Sequence, residues 1–103
     1  MPFDGNNYQA TSSVTVMLRD GKQQVEQGWC QNSMRQRGSV CMIGALDITD
    51  YTQFVDAETL LLDAIRSLGF PHSSVAAFND DLCRSKHQVL AVYDRAISRS
   101  MTV

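Results

Sequence analysis

Asp56-Ala57-Glu58-Thr59-Leu60-Leu61-Leu62-Asp63-Ala64-Ile65-Arg66-Ser67-Leu68-Gly69-Phe70-Pro71 is the stretch that decides the fold class. Its apolar residues Ala57, Leu60, Leu61, Ala64, Ile65 and Leu68 recur at i, i+3, i+4, i+7, i+8 and i+11, the wide stripe of a core-facing helix. Asp56 reads as the N-cap, with Val55 ahead of it stapling onto Leu60. At the other end Gly69 suits a left-handed C′ position, Phe70 can pack back on Ile65, and Pro71 prevents continuation.

The same logic extends in both directions. Ser73 or Ser74 can cap a short helix, Val75 to Phe78, which ends at Asn79-Asp80-Asp81. Ser85 and Gln88 form a capping box, followed by a stripe of Val89, Leu90, Tyr93, Ala96 and Ile97. Arg95 and Arg99 lie where positive charge suits the end of that helix. Toward the N-terminus, Val14, Leu18, Val25 and Trp29 approximate helical spacing from Ser12 onward. Gly21 within it either weakens the helix, by about 1 kcal/mol against alanine, or marks a close helix contact. Gly28 suits a left-handed helix end.

Residues 32–39 read as a polar turn. Val40-Cys41-Met42-Ile43-Gly44-Ala45-Leu46 is short enough for a buried strand or helix, and periodicity does not separate the two. The small Gly44 and Ala45 favour a tightly packed helix. The expectation is an all-α domain of four to five helices over residues 12–99, with a loose arm at 1–11 and a tail at 100–103. Its core would draw on Val14, Leu18, Val25, Trp29, Ile43, Leu46, Leu61, Ile65, Leu68, Val89, Leu90, Tyr93 and Ile97. Leu62 and Val92 fall off these stripes and would be left for a second surface.

Composition narrows the function classes. The 103 residues are 44% hydrophobic and 19% charged, with nine Lys and Arg against eleven Asp and Glu, net −2. That length fits one domain, and the apolar fraction is too high for a disordered chain. No apolar run approaches the roughly 18 residues of a membrane span. A stand-alone nucleic-acid binder would carry a basic excess, which is missing. The opening Met-Pro-Phe-Asp lacks a signal-like region, and three cysteines cannot all pair within the chain. Both features point to reduced thiols and a cytoplasmic setting.

Four strings occur in order: Gly28-Trp29-Cys30-Gln31, then Val40 to Leu46, then Val75-Ala76-Ala77-Phe78-Asn79-Asp80, then Val89 to Ile97. The chain thereby resembles a family of short, uncharacterised bacterial and phage proteins. That family carries G-W-x-Q, V-C-x-x-G-A and W-N-D motifs and a closing amphipathic helix. The likeness covers Val14 to Arg99. Phe78 stands where the family typically has tryptophan, and Asp81-Leu82-Cys83-Arg84 replaces a turn richer in Pro and Gly. The resemblance implies a small helical domain and carries no activity, cofactor or catalytic residue.

Among the chemistry-bearing residues, Cys83 and His87 are spaced i, i+4 and could form a zinc set with Cys30 and Cys41. No C-x-x-C accompanies them, and cysteine is commonly a small buried hydrophobe. A Cys41 nucleophile with His72 or His87, oriented by Asn79 or Asp80, lacks any family signature. The acid pairs Asp47/Asp50 and Asp80/Asp81 read as helix-end and turn chemistry rather than cation sites. Trp29 is a buried anchor or an exposed hot spot; Gln31 is a surface contact or a backbone tie.

Phe78, Asn79 and Asp80 complete the motif singled out, as an interaction or structural element. Asn79 would end a helix in the left-handed conformation. Asp80 would accept backbone donors in the turn, with Phe78 and Leu82 both pointing inward. Arg35 and Arg37 form the one locally basic stretch, and a nucleic-acid face would need them to converge with Arg84, Lys86, Arg95 and Arg99. No catalytic residue, cofactor or metal is assigned. The expected function is a non-enzymatic protein-interaction domain, an accessory or modulator of another protein, acting away from membranes as a monomer or weak homodimer. The alternatives are an enzyme or metal binder built on Cys41, Cys83 and His87, and a weak nucleic-acid binder.

Overall fold

Three long helices supply the packing faces of the computed structural model, which describes residues 12–101. The arm expected over 1–11 and the tail beyond Met101 lie outside the described residues. The elements in chain order are α1 (Ser13–Gln27), β1 (Arg35–Gln36), β2 (Ser39–Val40), α2 (Tyr51–Ser67), α3 (Val75–Asp80) and α4 (Lys86–Ser100). Helices α1, α2 and α4 pack against one another pairwise, and α3 leans on α2. The fold is mostly α, a single domain with one small hairpin.

Serine starts three of the four helices. Ser12, Ser74 and Ser85 each accept from a backbone N–H three residues on, and Ser85 with Gln88 completes the capping box. Each such cap satisfies one of the amides that a helix start leaves free. Helix α2 ends as its sequence implies. Gly69 takes φ 92°, Gly69 N–H donates to Arg66 O at 3.0 Å, and Phe70 N–H to Ile65 O at 3.1 Å. This is a Schellman ending.

The start of α2 differs from expectation. The cap is Asp50, not Asp56, and the helix opens at Tyr51. Phe54 is buried, three residues before Ala57 and seven before Leu61, so the apolar stripe runs one turn further back. Val55, expected to staple the helix start, is inside the helix and partly exposed. At the far end Leu68 is 42% exposed rather than core. It is the C-cap residue, and Phe70 beyond it takes the place against the core.

No helix forms over 40–46. Val40 lies in β2, paired with Arg35, while Arg37 and Gly38 make a two-residue turn with φ 52° and 83°. Positive φ at both central residues matches the twist of a tight hairpin. Residues 42–45 form a turn, closed by Ala45 N–H to Cys41 O at 3.0 Å. Gly44 is small for another reason than helix packing: a Cβ there would overlap the Met34 carbonyl. Gly28 is also not left-handed. Its backbone is extended, and a Cβ would come within 2.8 Å of Ser39 Oγ, so it permits β2 to approach α1's end.

Gly21 is a close contact. A Cβ at this position would come within 2.9 Å of Tyr93 Oη and 3.2 Å of Leu46 Cδ2. The space admits the Tyr93 ring, whose hydroxyl donates to Met42 O at 2.6 Å. Burial pushes the Tyr93 pKa well up, so the hydroxyl stays a donor. Leu18, Val25, Leu61, Ile65, Phe78 and Val89 belong to the same core cluster and are fully buried. Val92 is fully buried too, not part of a second surface, because α4 packs on both α1 and α2. Leu62 is partly buried against the core. Among the described residues, no helix is long and apolar enough to cross a membrane.

Candidate functional site

The residues of the three sequence motifs meet around one carboxamide. Trp29 and Val40 form a parallel bridge, with Val40 N–H donating to Gly28 O at 2.9 Å and Cys30 N–H to Val40 O at 3.0 Å. The next bond of a parallel ladder would join Met42 N–H to Cys30 C=O. The side chain of Asn79 stands between them instead. Met42 N–H donates to Asn79 Oδ1 at 3.1 Å, and Asn79 Nδ2 donates to Cys30 O at 3.1 Å. The carboxamide thus does the work of a peptide group in a ladder that has opened.

Its remaining capacity is also filled. Trp29 Nε1 donates to Asn79 Oδ1 at 2.8 Å, and Asn79 Nδ2 donates to Asp80 Oδ1 at 2.9 Å. Two acceptor and two donor positions are all that an amide side chain offers. Asp80 Oδ1 in turn accepts from Asn32 N–H at 2.8 Å, and Gln31 Nε2 donates to Asn79 O and Asp81 O at 2.9 and 2.8 Å. Gln31 is therefore a backbone tie, satisfying carbonyls at the end of α3 that the helix leaves unpaired. Asn79 itself is helical, and Asn32 holds the left-handed conformation at φ 64°. Asp80 serves a donor about 50 residues away rather than its own turn.

Phe78 belongs to an adjoining cluster. The Arg84 guanidinium lies 3.7 Å from the Phe78 ring centre and 4.7 Å from that of Phe70. Arg84 Nε donates to Phe78 O at 2.8 Å, and the terminal nitrogens reach Gln88 Oε1 at 2.9 Å and Asp81 at 3.8 Å. His72 Nε2 sits 2.8 Å from Asp81 Oδ2, with its ring edge-on to Phe78. The Cys83 amide, then His72, hold the Asp81 carboxyl below the usual carboxylate range. Leu82, expected to point inward, is 96% exposed, because Arg84 rather than Leu82 covers Phe78.

Cys30 and Cys41 lie near one another on the paired segments, and among the described residues no bond or electrostatic contact joins Cys83 to them. Cys41 is buried, its sulfur accepting from Gly44 N–H at 3.2 Å, whereas Cys83 and His87 are exposed. Among the described residues, no group of three or more His, Cys, Asp and Glu side chains could hold a metal. Burial, with Cys41 and Asp80 nearby, raises the Cys30 thiol pKa, which disfavours the nucleophilic thiolate. Several of the basic side chains are engaged within the molecule: Arg35 with Gly44 O, Lys86 with Glu26 O, Arg95 with Ser67 Oγ.

A groove of about 710 Å³ opens between α1 and the loop 45–50. Met17, Ala45 and Leu46 are its buried apolar residues, while Val16 and Ile48 are 46% and 53% exposed. Asp20, Asp47 and Asp50 also line it, with Arg35. Asp47 accepts from Thr49, and Asp50 caps α2.

A family model described as a family of unknown function, DUF6197, matches residues 10–99. The chain belongs to DUF6197. The DUF6197 match takes in the hairpin and nearly all of the four helices, and with them every member of the Asn79 network. Neither a curated protein nor a solved structure matches the chain.

The structure brings Trp29, Gln31, Asn79 and Asp80 into one network and places Phe78 beside it. It does not bring Cys41, Cys83 and His87 together. The reading of the sequence missed the groove, whose polar residues Asp47, Asp50 and Arg35 it had weighed separately. Two signals were present: Val16 lies off the α1 stripe, and Ile48 is an isolated apolar residue in a polar turn.

Proposed function

We propose that this DUF6197 chain is a non-enzymatic interaction domain that receives an apolar-anchored segment of another protein in the groove between α1 and the loop 45–50. The observation that carries this reading is the pair Val16 and Ile48, exposed at the rim above the apolar Met17 and Leu46. Apolar groups clustered at a concave surface gain from being covered by a partner. The Asn79 network is a poorer candidate for ligand binding, since its carboxamide has every donor and acceptor position filled. The groove is open to solvent rather than enclosed, which suits a peptide segment better than a buried small molecule.

The test is comparative affinity capture from the native host with wild type, Val16→Asp, Ile48→Asp and Leu82→Asp, read by quantitative mass spectrometry. Leu82 is the most exposed large apolar side chain among the described residues and lies outside the groove. A partner held by wild type and Leu82→Asp but lost with both groove variants supports the reading. Identical capture by all four proteins overturns it.

A further inference from the structure

Building on the groove reading, we infer that the segment it receives is basic, with Lys or Arg side chains flanking apolar anchors. Three carboxylates, Asp20, Asp47 and Asp50, line the groove against the single guanidinium of Arg35. Arg35 is turned to a backbone acceptor, Gly44 O at 3.1 Å. The ion pairs among the described residues lie elsewhere, between Lys22 and Asp94 and around Asp81. Among the described residues, the three groove carboxylates therefore form no ion pair with a basic side chain.

Their placement matters as much as their number. Asp20 follows Val16 by four residues on α1, so the two share one helix face. Asp47 and Asp50 bracket Ile48 on the facing loop. Each exposed apolar side chain thus has a carboxylate close by in its own segment. The Thr49 hydroxyl and amide hold the Asp47 carboxyl below its usual range, so it is charged at neutral pH. An acidic segment would meet like charge from both walls, and a neutral one would leave the carboxylates uncompensated. A basic segment gains attraction at the rim while its apolar side chains cover Val16 and Ile48.

The experiment uses the isotope-labelled protein and three synthetic peptides of about 12 residues, long enough for three helical turns. They share one leucine pattern, with the polar positions filled by Lys, Glu or Ser. Amide shifts are followed by NMR at low and high salt. The Lys peptide is expected to shift residues 16–20 and 45–50, and to weaken roughly tenfold as added salt shortens the screening length. Asp20→Asn and Asp20→Lys should weaken it by about threefold and tenfold, on the scale of exposed charge pairs.

If the Glu or Ser peptide shifts the same residues as strongly, and Ile48→Ser weakens all three, the basic preference falls and the groove reading stands. Shifts confined to other surfaces, or absent with every peptide, overturn both. The Asp20 side chain is exposed and makes no hydrogen bond or ion pair among the described residues, so its variants should fold. Unchanged melting temperatures check this.

Discussion

At the residue scale Asn79 joins three segments of the chain through one side chain. It is 1% exposed and joins α3 to the Trp29–Cys30 segment and to Met42. Truncation to alanine would strand the buried Met42 N–H and the half-buried Trp29 Nε1–H and Cys30 carbonyl. Each orphaned group costs about 1–3 kcal/mol, less than additively because water can enter the vacated space. Asn79→Ala should therefore lower unfolding free energy by about 3 kcal/mol in urea titration. A loss below about 1 kcal/mol would mean that the network contributes little beyond surface bonds. The sequence pointed to Asn79 and Asp80 as structural, but for a local reason. The actual partners are 37 to 50 residues away.

At the element scale the two candidate starts of α2 can be told apart by their caps. Asp50 accepts the Gln53 amide, whereas Asp56 lies one and a half turns inside the helix and is exposed. Asp50→Ala should cost about 1 kcal/mol, the usual scale of a lost N-cap. Asp56→Ala should stay within about 0.5 kcal/mol of wild type, as a surface change with a small gain in helix propensity. Equilibrium denaturation of the two variants checks the order. The Asp56 reading had merit as a local rule, since Asp56 also sits before an apolar stripe. Tyr51, Phe54 and Val55 have weak helix propensity, which concealed the first turn until the burial of Phe54 overrode it. The hairpin was hidden for a different reason. Its strands are two residues each, too short for alternation to register.

On the scale of the whole molecule, stability rests on the meeting of α1, α2 and α4 rather than on any one helix. Ile65 is fully buried and belongs to the central cluster. Ile65→Ala should remove about 2–5 kcal/mol, from lost transfer energy and the cavity left behind. A melt nearly superimposable on wild type would show that α2 is not packed as described. The groove is a product of the same assembly, because one wall is α1 and the other a loop held by α2's cap. Neither wall has concave shape alone.

The sequence by itself determined the helical class, the α2 ending at Gly69 and the capping box at Ser85, together with the core positions Leu18, Val25, Leu61, Ile65, Val89 and Tyr93. These depend on neighbours three to five residues apart, and periodicity records such neighbours directly. Only the tertiary structure decided what Gly21, Gly28 and Gly44 are for: each leaves space for an atom from a distant segment. It alone decided that Asn79 bridges an opened ladder and that Val16 and Ile48 border an acidic groove. The physical reason is range. Caps and stripes are short-range regularities of one helix, whereas a satisfied carboxamide or a concave surface requires several segments to arrive together.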